Sequence, residues 1–338
     1  EDWRLSAPAY LHLGDDGVVV NELRFARANG PGSIRATGRL PWRQEDAAGE
    51  EARDQDLAAG FQLIVDRLPI FALRRGPDLE PAALATLTGR VLVGGTASAP
   101  RIEADLGLTD VRIGDVRLDR LDSRLSYSDR LLDTSLHAWL RGQRVLGGQG
   151  WVPLDLRLTP VAERRLAEPL DFVVRANGMP ATILTSFVDG FQDVQGTVNG
   201  VVTVGGTTLE PELGGELELA NGEATWAMTG VRYRDVRGTF RVLGEQVVAV
   251  EASARAGAGS ANIGVAITFR PLSDPEFNLR VTAREFEASR RRDVEAVGTG
   301  EVRLTGRFTR PVLQGELRVD RGALYVDEIV RQGQIVAL

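Results

Sequence analysis

Three stretches of this chain repeat one pattern at nearly one interval, and that period narrows the possible folds more than any other feature. Gly89 to Ile102 reads GRVLVGGTASAPRI, Gly200 to Leu213 reads GVVTVGGTTLEPEL, and Gly300 to Leu313 reads GEVRLTGRFTRPVL. Pro100, Pro211 and Pro311 stand 111 and 100 residues apart (211 − 100 and 311 − 211). Each block reads as a strand, a Gly-containing turn, a Pro and a second strand that runs on as ADLGL, GELEL or GELRV. Ser33 to Pro41 (SIRATGRLP) and Val145 to Pro153 (VLGGQGWVP) form a second landmark, with their prolines 112 apart (153 − 41) and a third copy, without Pro, at Gly259 to Ile267. Leu68-Pro69-Ile70-Phe71 and Met179-Pro180-Ala181-Thr182 form a third, 111 apart (180 − 69). The period predicts one continuous elongated array, divided as a partial repeat over 1–67, repeats over 68–178 and 179–297, and a partial repeat over 298–338. A unit this long is several times a β-solenoid coil of roughly 20 to 30 residues.

Within the repeats, apolar and polar residues alternate, which places one set of side chains on each side of a strand. Glu216-Leu217-Glu218-Leu219, Phe277-Asn278-Leu279-Arg280-Val281 and Leu154-Asp155-Leu156-Arg157-Leu158 all read this way. With 38 Gly, 15 Pro and few aromatic residues, the chain is expected to be all-β, with roughly 20 to 25 strands. Four Asn-Gly pairs, starting at Asn29, Asn177, Asn199 and Asn221, suit tight turns, and the one at Asn221 is expected to make a hairpin. Helix is minor: one short amphipathic helix is expected after each of Pro69 and Pro180, the second over Ala181 to Phe191, covering an edge or opening of the sheet. Arg43 to Ala59 has almost no large apolar residue and reads as a solvated loop.

Residue types bound the chemistry. No Cys is present, which removes disulfides, thiolate metal sites and thiol nucleophiles. All 40 basic residues are Arg, so a GxxxxGK[ST] loop is impossible, and the net charge of −7 argues against nucleic acid. His12 and His137 sit in alternating strand sequence, outside any metal-ligand spacing. The acidic pairs Glu216/Glu218 and Glu103/Asp105 fall on the wet side of strands, Gly257-Ala258-Gly259-Ser260 reads as a strand connection, and Arg290-Arg291-Arg292 is the one local basic run, suited to anionic headgroups or to a loop. No catalytic residue, metal or cofactor is expected. No apolar run reaches the roughly 18 to 20 residues that span a bilayer.

The order GxVxVxGTxxxPxxxGxLxLxxG, then Gly230-Val231-Arg232-Tyr233-Arg234-Asp235-Val236-Arg237-Gly238, then a Gly-Ser turn and GxxIxF, resembles the repeat of the TamB/AsmA-like family. Gly200 to Phe269 carries it best; Gly89 to Leu158 and Gly300 to Glu328 carry it with gaps, and Arg321 to Glu328 resembles the later TamB region. The resemblance implies a curled β-sheet, or β-taco, with an apolar groove, in a periplasmic protein that supplies phospholipid to the outer membrane. It implies an inner-membrane anchor helix and an outer-membrane barrel partner such as TamA. The chain is read as lacking that anchor and the family's full C-terminal region, so neither attachment nor docking is carried over.

Alternation gives the candidate groove residues: Leu106, Leu108, Leu154, Leu156, Leu217, Leu219, Ile263, Val265, Ile267, Phe277, Leu279, Leu317 and Val319. The expected function is non-enzymatic conduction of phospholipid acyl chains between membranes. A closed β-solenoid or sandwich with a filled core would show the same alternation, and a scaffold capturing unfolded barrel strands by edge pairing is a further alternative.

Overall fold

The structure is a computed structural model of the 338-residue chain that describes residues 3–14, 17–41, 60–73, 81–113, 116–186, 190–269, 274–307 and 309–325. Its nineteen strands belong to one antiparallel sheet, and no α-helix occurs among the described residues. The expected loop at Arg43 to Ala59 and the end of the stretch at Arg321 to Glu328 lie outside them. The chain divides into two compact units.

The first unit, Glu1–Arg175 with Thr203–Pro211, holds β1 (Trp3–Leu5), β2 (Leu11–Leu13), β3 (Gly17–Arg27), β4 (Ser33–Pro41), β5 (Phe61–Leu73), β6 (Pro81–Gly95), β7 (Pro100–Ile113), β8 (Val116–Ser128), β9 (Leu131–Leu140) and β10 (Gln143–Pro153). From β2 onward each strand pairs antiparallel with the next, and β1 pairs with β3. The second unit, Ala176–Val202 with Glu212–Leu338, holds half of β11 (Asp171–Pro180) and most of β12 (Phe191–Gly206) and β13 (Pro211–Trp226). There β14 (Val231–Leu243), β15 (Gln246–Ala256), β16 (Gly259–Thr268), β17 (Glu276–Arg290), β18 (Val294–Arg307) and β19 (Arg310–Leu324) follow, again each pairing with the next from β13.

The sequence landmarks fall six strands apart. Pro100 and Pro211 open β7 and β13, and Pro311 is the second residue of β19; the second landmark lies on β4, β10 and β16, and the third on β5 and at the end of β11. The glycine heading each block has one job. A Cβ at Gly89, Gly200 or Gly300 would strike the backbone carbonyl of Asp105, Glu216 or Glu316, sixteen residues on (105 − 89, 216 − 200, 316 − 300).

The same residues reveal a bend. Arg67 in β5, Gly178 in β11 and Glu285 in β17 have φ of 48°, 69° and 44°, and the register of β5 and β17 with the next strand slips there. Such bulges bend a strand and leave one amide without a ladder partner. The freed amides donate to Thr88 Oγ1 at 3.2 Å, Asn199 Oδ1 at 2.7 Å and Thr299 Oγ1 at 2.9 Å. Thr88, Asn199 and Thr299 each immediately precede the repeat glycine.

Several expectations need correction. Asn221-Gly222 lies inside β13 as a bulge, with Asn221 at φ 51°, because a bulge needs positive φ as a tight turn does. Asn177-Gly178 and Asn199-Gly200 are likewise inside strands, and Asn29-Gly30 alone of the four makes a turn. Pro69 to Phe71 continue β5 and form no helix. After Pro180 the helix is one 3-10 turn, Ala181–Ser186. Leu154 to Leu158 is no strand: β10 stops at Pro153, and Asp155 is 2% exposed, opposite to its expected place on a wet face.

Candidate functional site

Directly opposed residues of an antiparallel pair project to the same side, so the register identifies the two faces. In the first unit, from β5 to β10, one row runs Phe61, Val93, Ile102, Tyr127, Leu132, Val152, and another Leu68, Leu87, Leu108, Leu121, Ala138, Leu146. Between them a row through Gly89 and Leu106 contains Ser123 as its one polar member. The opposite side carries rows such as Arg90, Asp105, Arg124, Ser135, Gln149, with an exposed Arg124–Asp105 ion pair at 2.9 Å.

The second unit repeats this division from β16 to β19. Val265, Leu279, Leu304 and Leu313 oppose one another in turn, as do Ile263, Val281, Val302 and Gly315, and Ala261, Ala283, Gly300 and Leu317. Ile267 and Phe277 pair on the same side, and Val319 pairs with Gly298. The neighbouring rows read Gly264, Arg280, Arg303, Gln314 and Asn262, Thr282, Glu301, Glu316. In β13, Leu217 and Leu219 oppose Phe240 and Gly238, whereas Glu216 and Glu218 oppose Arg241 and Thr239. The apolar rows carry no charge.

A cavity of about 450 Å³ lies on the apolar side of the second unit. Its lining draws on β12 to β17 and on Thr185 of the 3-10 turn, and includes Leu219, Ile263 and Leu279 from the sequence candidates. Leu219 and Ala224 flank the β13 bulge, Tyr233 and Val236 flank Asp235 (φ 50°), and Val281 and Phe286 flank Glu285, so the cavity occupies the inside of the strand bends. Leu217, Val265, Ile267 and Phe277 are half-buried beyond the lining, and Leu317 and Val319 are exposed on β19. Leu106 and Leu108 lie on the apolar face of the first unit.

Leu154 and Leu156 stand apart from these rows, in a segment that crosses the ends of strands. Tyr127, near the end of β8 and within an apolar row, donates its hydroxyl to the Leu154 carbonyl at 3.1 Å and accepts from the Leu156 amide at 2.8 Å. Leu158 N–H reaches the Ala97 carbonyl, and Leu166 exchanges hydrogen bonds with the Thr208 hydroxyl. Asp155 holds the knot, accepting from Arg157 Nη2 at 2.6 Å. That guanidinium keeps the Asp155 carboxyl below the usual carboxylate range, and burial pushes the Tyr127 phenol up.

Sequence reasoning missed the aromatic residues at the cavity. Phe191 meets Trp226 edge-on at 4.5 Å, and Tyr233 stacks on Phe286 at 5.9 Å with ring planes 15° apart. Burial raises the Tyr233 phenol, with Thr229 hydrogen-bonding against that shift. Their scarcity was the available signal: only 6% of residues are aromatic.

The polar chemistry is that of ordinary strands. His12 and His137 lie in β2 and β9, Gly257 turns β15 into β16, and Arg291 pairs with Asp293 at 2.9 Å in the β17–β18 connection. Among the described residues no three His, Cys, Asp or Glu converge to hold a metal, and no helix is long and apolar enough to cross a membrane.

Residues 249–335 match the family model of the TamB C-terminal domain. Over this segment the chain is similar to the C-terminal domain of TamB-family proteins. No curated protein and no solved structure matches the chain. The TamB match covers β16 to β19, which carry the charge-free rows described above, and it includes the stretch from Arg321 that resembles the later TamB region. It supports a TamB-family role in outer-membrane assembly or transport, association with outer-membrane assembly machinery in general, and a place in the cell envelope.

Proposed function

We propose that this chain is a non-enzymatic, periplasmic lipid-transfer protein whose apolar face carries phospholipid acyl chains between the inner and outer membranes. The observation that supports it most is the set of uncharged rows across β16 to β19, continued in the mainly apolar lining of the cavity, where Glu223 is the one charged residue among those described and pairs with Arg232. An acyl chain of ~16 carbons loses about 0.8 kcal/mol per methylene when exposed to water, on the order of 12 kcal/mol in all. An apolar surface offsets that cost along the way, and a conduit needs no polar site that would hold its cargo. In keeping with the family, an N-terminal anchor in the inner membrane and a TamA-like barrel belong to this reading as proposals.

Lipid extraction and native mass spectrometry of the purified chain are expected to recover bound phospholipid. Leu219→Asp puts a carboxylate in the cavity lining and is expected to reduce recovery at least about tenfold, since burying it uncompensated costs several kcal/mol. Far-UV circular dichroism should stay near that of the parent. Loss of β content would instead place Leu219 in a closed, filled core.

The exposed residues Leu313, Leu317, Val319 and Leu324 of β19 favour a second reading, capture of an unfolded barrel strand by edge pairing. Crosslinks from these positions to nascent outer-membrane protein, with none to lipid, would select it.

A further inference from the structure

β14 and β17 are separated by the β15–β16 hairpin, so on a flat sheet they lie three strand spacings, about 14 Å, apart. Tyr233 of β14 and Phe286 of β17 nevertheless stack with ring centroids 5.9 Å apart. Both line the cavity, so the rings meet on the apolar side, across the hairpin between them. The residues that the hairpin presents there are small: Ala254 opposes Ala261, and Ala256 opposes both Tyr233 and Gly259. Ala254, Ala256 and Ala261 are at most 4% exposed, although nothing larger than a methyl group projects from them. Larger side chains at these positions would occupy the space that the rings take up.

The two arms are also joined beyond the rings. The Arg290 amide donates to the Thr229 carbonyl at 2.8 Å, and Gly230 packs so closely against the Arg290 carbonyl that a Cβ would meet it at 2.7 Å. Past the tip of the short β15–β16 hairpin, the turn before β14 and the end of β17 are therefore stitched directly to each other. The rings span a gap whose width is fixed by this backbone contact, so that a change of χ1 from one staggered rotamer to another is the motion that would move either ring aside.

We infer that Tyr233 and Phe286 form an aromatic crossbar over the apolar face, a gate that an acyl chain displaces to pass β15 and β16 and that selects for slender chains. The inference rests on the lipid-transfer reading and adds a selectivity element to it. A linear chain slips past a rotated ring; a chain with a bulky end group does not.

Stopped-flow uptake of two fluorescent fatty acids by the full 338-residue chain tests this, one a linear conjugated polyene and the other tipped with pyrene. The parent is expected to take up the linear probe at least about tenfold faster, a factor that corresponds to one ring-displacement barrier of about 1.4 kcal/mol. Phe286→Ala and Tyr233→Ala should speed uptake of the pyrene probe about tenfold and narrow the ratio toward one, and Phe286→Trp should slow both probes. Phe286→Leu, which keeps apolar bulk without a planar ring, serves if circular dichroism shows the Ala variant unfolded, and it should narrow the ratio too. Unchanged rates and ratio in folded variants would overturn the crossbar alone. Uptake of neither probe by the parent would overturn the lipid-transfer reading itself, and the crossbar with it.

Discussion

Asp155 shows how far a single residue departs from the pattern around it. In LDLRL the alternation assigns its carboxylate to water, yet it is buried and bound by Arg157 through both the side chain and the backbone amide. Nothing in the local spacing reveals this, because the partners that turn the segment come from elsewhere: Tyr127 on β8 and Ala97 before β7. Asp155→Asn keeps the shape and removes the charge, and is expected to cost about 2 kcal/mol, read as a lower melting temperature. Because the folded carboxyl titrates below the unfolded value of about 3.9, its contribution is complete above that pH and is lost as pH falls through the folded value. The difference in stability between parent and variant should therefore shrink below about pH 4 and be constant from there to neutrality. A difference that grows with acid would contradict the assignment.

At the scale of the strand, alternation was a sound guide and turn chemistry an uneven one. Glu216 to Leu219 and Phe277 to Val281 present the faces their pattern implies, since the register with β14, β16 and β18 leaves no other choice. Asn221-Gly222 misled because positive φ serves a mid-strand bulge as well as a hairpin. The residue before each repeat glycine was legible only in retrospect: Thr88, Asn199 and Thr299 look unremarkable in sequence, and the amides they satisfy lie about twenty residues away or fewer. Thr299→Val retains the branched shape and deletes the acceptor. It is expected to cost about 1 kcal/mol and to accelerate hydrogen exchange at the Glu285 amide, while the Val281 amide, on the regular part of the same strand, exchanges as before. Equal acceleration at both would indicate general loosening of β17 in place of a local staple.

For the molecule as a whole, the all-β character and the nearly even residue spacing of the landmarks could be read from the chain, whereas the six strands in each interval came from the structure. The cavity could not be read from the chain either, because it depends on where strands bend, and bends are set by bulges at residues as different as Arg67, Asp235 and Glu285. The central claim is that the uncharged face contacts lipid while its reverse does not, and adjacent residues of one strand separate the two. A photoreactive amino acid placed at Ile263, in the cavity lining, and in a second variant at Asn262, on the opposite face, tests this in a living envelope. Crosslinks to phospholipid from Ile263, with few from Asn262, are the expected result; equal labelling at both positions, or none at Ile263, would contradict it.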